Sequence, residues 1–75
     1  MNLTIELDRE IDGRFVAEVM ELPGVIVYGE SEAAALSNAQ SLALRVVAEQ
    51  IEHGELDPVE AASIRFGRRE PVAVD

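Results

Sequence analysis

Four carboxylates fall on alternate positions near the start of this chain: Glu6, Asp8, Glu10 and Asp12. Alternate side chains of an extended segment share one face, so the strand portion of this series makes a negative strip. Such a strip can pair with arginines on a basic macromolecule, speeding encounter and fixing register. Clustered carboxylates can also hold two metal ions for phosphodiester hydrolysis, but only where acids from separate elements converge on one point. Asp8 could contribute from the first strand, whereas Glu49 and Glu52 fall on the predicted solvent side of a helix, and no clear acid marks a later core strand. The plain alternative is a solvated strand face and loop, partly neutralised by Arg9 and Arg14.

The other reactive side chains point to structural roles. His53 is the sole histidine, placed at the predicted end of a long helix where it favours the negative pole of the dipole. It has no neighbouring Ser or Cys nucleophile to activate and no second imidazole for a metal. Ser31 reads as a helix cap. Arg65, Arg68 and Arg69 form the one basic cluster, and pairing with acids or solvation accounts for them better than a nucleic-acid site. Gly13, Gly24 and Gly29 lie too far apart for a phosphate-cradling loop. No catalytic residue, metal ligand or cofactor is assigned, and the chain reads as a binding protein rather than an enzyme.

The elements that carry these residues follow from periodicity. Leu3, Ile5 and Leu7 alternate with Thr4, Glu6 and Asp8, the pattern of a half-buried strand. Asp12-Gly13 is a hairpin signal inside a polar stretch from Asp8 to Arg14, so the loop exceeds the two-residue minimum. A second strand runs from Phe15 to Met20 and ends at Leu22-Pro23-Gly24; a third covers Val25 to Tyr28. Ser31 then caps a helix from Glu32 to about His53, stopped by Gly54. Leu36, Ala39, Ala43, Val46, Val47 and Ile51 form its apolar stripe, with Leu42 and Leu44 at the margins. Asp57-Pro58 opens a short helical turn, and Ser63 to Phe66 and Val72 to Val74 are candidate short strands.

The expected fold is α+β, a three-stranded antiparallel meander covered on one face by one long helix, with one or two short C-terminal strands (β-β-β-α-β). The other sheet face would carry Val16, Met20, Ile26 and Tyr28 beside Thr4, Glu6 and Glu18, an amphipathic surface suited to a partner. We therefore expect Glu6, Asp8, Glu10, Asp12, Glu18 and Tyr28 to bind that partner.

With 75 residues and no cysteine, the chain makes a single domain, with a core over about 2–54 and a tail over 55–75. A chain this short buries a modest core, so association, as a homodimer or with another protein, is expected. Fifteen acids against six bases give a charge of −9, which repels phosphate backbones and anionic lipids and favours a basic partner. Residues 1–60 hold thirteen of the acids against Arg9, Arg14 and Arg45, a balance of −10, and the last fifteen residues balance at +1. The start lacks the blocks of a secretory signal, and no apolar run approaches the ~20 residues of a membrane span, so a cytoplasmic location is expected.

Gly13, Phe15-Val16-Ala17-Glu18-Val19, Glu21-Leu22-Pro23-Gly24, and Gly29-Glu30-Ser31 leading into Ala35-Leu36-Ser37-Asn38-Ala39 occur in the order and register of the HicB-type antitoxins, which this chain resembles over residues 3–53. The resemblance implies a partial ribonuclease-H-like fold and a small basic HicA-type toxin as partner. That toxin type resembles a double-stranded-RNA-binding domain and degrades messenger RNA; the antitoxin covers its active site. Val25 stands where the family commonly has cysteine. Many members repress their own operon, and complete members carry a helix-turn-helix or ribbon-helix-helix module after this domain. Only about twenty residues follow the long helix here, too few for such a module, so direct DNA binding is not expected. Two alternatives remain: a degenerate ribonuclease-H-like metal-dependent nuclease, and a stand-alone small protein- or ligand-binding module.

Overall fold

The computed structural model describes residues 1–70. Strands β1 (Asn2–Arg9), β2 (Phe15–Val19) and β3 (Ile26–Gly29) form the antiparallel meander; helix α1 (Glu32–Glu52), a single turn α2 (Pro58–Ala61) and strand β4 (Arg65–Arg69) follow. The sheet order is β3-β2-β1-β4, and β4 runs parallel to β1. The fold is therefore α+β, a mixed four-stranded sheet with one long helix packed on it, in the order β-β-β-α-β.

Alternation in β1 decides which face is buried. Leu3, Ile5 and Leu7 are about 1% exposed and pack with Ala17 and Val19 of β2 against α1. Burying each large apolar side chain contributes about 1.5–3 kcal/mol before the entropy of ordering is subtracted. The helix presents a line of small residues, Ala35, Ala39 and Ala43, then Val47, to this layer. Alanines at i, i+4 spacing let the helix axis settle close to the sheet. This line replaces part of the expected stripe: Ala35 is buried, while Ile51 and Leu44 are 38% and 45% exposed.

Local chemistry terminates the elements where the residues indicate. Ser31 Oγ accepts from the Ala34 N–H at 3.0 Å, capping α1. Gly54, at φ +70°, carries the chain out of the helix after His53. The hairpin loop between β1 and β2 turns through Gly13, at φ +92°, with the Glu10 N–H donating to the Arg14 carbonyl at 2.7 Å. Asp57 caps α2, accepting from the Val59 N–H at 2.9 Å, with Pro58 first in the turn.

Five boundaries differ from the sequence reading. β2 ends at Val19 rather than Met20, and the C-terminal strand runs on to Arg69 rather than Phe66. Val25 precedes β3 and is buried in the turn: its N–H donates to the Leu22 carbonyl and its carbonyl accepts from the Val19 N–H. Gly29 is the last residue of β3, in register with Phe15, rather than a break outside the strand. The C-terminal strand begins at Arg65, two residues after Ser63, because its pairing starts opposite Asn2. The expected strand at Val72–Val74 lies outside the described residues.

Candidate protein-docking face

The helix covers one side of the sheet, and the register places the outward side chains of the other side in rows. One row runs Ile26–Glu18–Glu6–Arg69 across all four strands. The next runs Tyr28–Val16–Asp8. Met20 and Thr4 flank the first row, joined by the Met20 N–H donating to the Thr4 carbonyl at 2.9 Å. Met20, Ile26 and Tyr28 are 41%, 49% and 46% exposed, so large apolar surface stays in water on this face. The face is apolar along β3 and β2 and acidic along β2 and β1.

Of the six residues expected to bind a partner, four meet here: Glu6 and Asp8 from β1, Glu18 from β2 and Tyr28 from β3. Glu10 and Asp12 do not join them on the sheet. Both lie in the hairpin loop, beside an open depression of about 390 Å³ lined also by Ile11 and Arg14. Asp12 is engaged within that loop, accepting from the Arg14 N–H at 3.0 Å and from Arg14 Nε at 2.7 Å. These bonds, the backbone one foremost, hold its carboxyl below the usual range.

Electrostatics on the face are unbalanced. Glu6 and Glu18 are direct cross-strand neighbours, a like-charge pairing that costs stability. Glu6 is compensated from β4: Arg69 Nε and Nη2 both reach Glu6 Oε2, Nε at 3.0 Å. Arg68 points to the helix side, bridging Glu32 at the start of α1 (2.9 Å) and Glu70 (2.7 Å), and these two carboxylates raise its pKa. The expected pairing of the basic cluster with the acidic body therefore holds for Arg68 and Arg69. Across the face, the Arg14 guanidinium lies over the Tyr28 ring, 4.6 Å from its centroid.

The residues alone gave Arg14 a neutralising role and Arg69 a pairing role, but not their places on this face, over Tyr28 and on Glu6. The basic cluster was legible, but the parallel pairing that sets Arg69 opposite Glu6 is a contact between residues 63 positions apart. Glu21 is a second omission: its Oε1 accepts from the Thr4 N–H at 2.6 Å, tying the β2–β3 turn to β1. Partial burial pushes the Glu21 carboxyl up, but the Thr4 bonds, with Arg69 nearby, leave it below its ordinary value of 4.5. A carboxyl with a depressed folded pKa stabilises above its unfolded value and loses that contribution as pH falls through the folded one. Glu21→Gln is therefore expected to lower the melting temperature at pH 7 by a few degrees, about 0.5 kcal/mol after solvent screening. The gap to the parent should narrow as melts are taken below pH 4.5.

Among the described residues no group of three or more His, Asp or Glu is placed to hold a metal ion. Glu49 and Glu52 ride on α1, on the far side of the sheet from Glu6 and Asp8. No described helix is long and apolar enough to cross a membrane. The open depression at the hairpin loop is not an enclosed apolar pocket of the sort small ligands favour.

Comparison with known protein families, with curated proteins and with solved structures finds no match to this chain.

Proposed function

We propose that this protein is a HicB-like, antitoxin-type binding module whose open sheet face docks on a small basic RNA-cleaving partner of the HicA type and blocks substrate access. The observation that carries the reading is the sheet face that no described helix covers, where Met20, Ile26 and Tyr28 adjoin Glu6, Asp8 and Glu18. A mixed apolar and acidic surface complements a protein built to grip phosphates. The β-β-β-α-β order with one main helix accords with the partial ribonuclease-H-like fold that the resemblance implies.

The same charges oppose a second copy on this face, since sheet-on-sheet stacking would bring the acids of two copies together. A homodimer would use another surface, and the outward stripe of α1, with Leu44 and Ile51 exposed, offers an apolar one. The nuclease alternative draws no comparable support from the placement of the acids.

If a small basic protein is encoded beside this chain, mixing the two should give one complex on gel filtration at low salt and suppress RNA cleavage by that protein. Separate elution of the two with cleavage unaffected would remove the proposal. Because the face is charged, raising the salt from 0.05 to 0.5 M (~13 to ~4 Å Debye length) should weaken the complex several-fold.

A further inference from the structure

Resting on the docking reading above, we infer that the open face reads guanidinium groups: its partner presents arginines rather than lysines, and this chain's own Arg69 and Arg14 occupy in the free protein the places those arginines take. The partner is a segment of a basic protein carrying arginines beside apolar side chains. It is identified by what already lies on the face.

The chain displays two modes of guanidinium recognition there. At Glu6 the fork of Arg69 meets a carboxylate through Nε and Nη2 together. At Tyr28 the Arg14 guanidinium lies over the ring at 4.6 Å, held in place by Asp12 at 2.7 Å. Both modes depend on a planar, delocalised cation; a lysine ammonium is a point charge that cannot fork onto a carboxylate and is more strongly hydrated. Strand spacing puts Tyr28 on β3 and Glu6 on β1 about 10–12 Å apart across the face, with Val16 and Glu18 of β2 between them.

Charge complementarity gives the direction of exchange. Glu18 faces Glu6 across the β1–β2 ladder, and Arg69 bonds only the Glu6 partner of that pair, through Oε2. A partner guanidinium that takes the place of Arg69 and sits between Glu18 and Glu6 would relieve the like-charge contact that the free protein carries. Both Arg69 and Arg14 are more than half exposed, so a partner can displace them without opening the core. The ladder with β1 and the Arg68–Glu32 bridge keep β4 attached while Arg69 lets go.

The test uses two fluorescent synthetic peptides, one alternating arginine with valine and one alternating lysine with valine, titrated into the whole chain at low salt. The arginine peptide should bind about tenfold more tightly than the lysine peptide. Arg69→Gln should tighten the arginine peptide by roughly fivefold, as the internal competitor is removed, and Arg69→Lys should tighten it less. Tyr28→Leu should shrink the arginine preference while leaving lysine-peptide binding nearly unchanged. Melting curves of the Arg69 variants report whether β4 stays docked; Tyr28→Leu, outside β4, decides the matter if it does not. Equal affinity for the two peptides, or an arginine preference that survives Tyr28→Leu intact, would overturn the inference. Capture of the basic RNA-cleaving protein with no preference between peptides would defeat this inference and leave the docking reading standing. Failure to bind the protein or either peptide would defeat both.

Discussion

Gly29→Ala is expected to lower the melting temperature by on the order of 10–20 °C. Gly29 closes β3, and the first turn of α1 sits directly against it. A Cβ built there overlaps the backbone nitrogen of Ala35 and stands 2.8 Å from both Ala34 C and Ala35 Cα. These are backbone atoms of a capped helix, so no side chain can rotate away to make room. The N-terminal end of α1 must lift from the sheet, loosening Ala35 and Ala39 from their buried positions. Overpacking of that kind costs about 2–3 kcal/mol, against a total of roughly 4–11 kcal/mol for a chain of this size. Gly67→Ala is the control: a Cβ at Gly67 meets nothing within 4 Å, and that variant should melt within a few degrees of the parent.

The second large effect is on binding alone. Glu18→Arg should weaken the complex with the basic partner by about 100-fold, because a like charge is placed at the centre of the face. The fold should not suffer. Glu18 is exposed, and the introduced guanidinium would face Glu6 across the ladder, replacing a repulsive pair with an attractive one. The variant is thus expected to melt at or slightly above the parent temperature while failing to bind. Binding by isothermal titration and melting by circular dichroism check the two halves separately. Loss of both together would mean that Glu18 serves the fold and not the partner.

How far the residues alone reveal this structure depends on the range of the contacts. Period-two alternation in β1, the Asp-Gly hairpin and the Ser31 cap are local, and each element appears where its residues place it. The same alternation exposes the partner face, since knowing which side of β1 is buried determines the outward row of β2 and β3. The parallel pairing of β4 with β1 is not local. Arg65 to Arg69 carries three arginines and a glycine, poor material for a strand by intrinsic preference, and it is held in the sheet by Phe66 packing near the core and by the Arg68 and Arg69 ion pairs. The helix stripe was misjudged only at its ends. Ala39, Ala43 and Val47 are buried as the stripe expects, but the stripe begins one position earlier, at Ala35, and Ile51 at its far end is exposed. Alternation along the chain also groups Glu10 and Asp12 with Glu6 and Asp8, but the strand ends at Arg9 and both later acids lie in the hairpin loop, Asp12 reaching the face only through Arg14.

The claim beneath the functional account is that the sheet side without the helix is where a basic macromolecule sits. Backbone amide shifts of the isotope-labelled chain, followed while a small basic HicA-type protein is titrated in, test it directly. The account predicts that Glu6, Asp8, Val16, Glu18, Ile26 and Tyr28 move or broaden while Ser37, Ser41 and Leu44 on the outward side of α1 stay still. Perturbation centred on α1, with the β1–β3 amides unmoved, would contradict it.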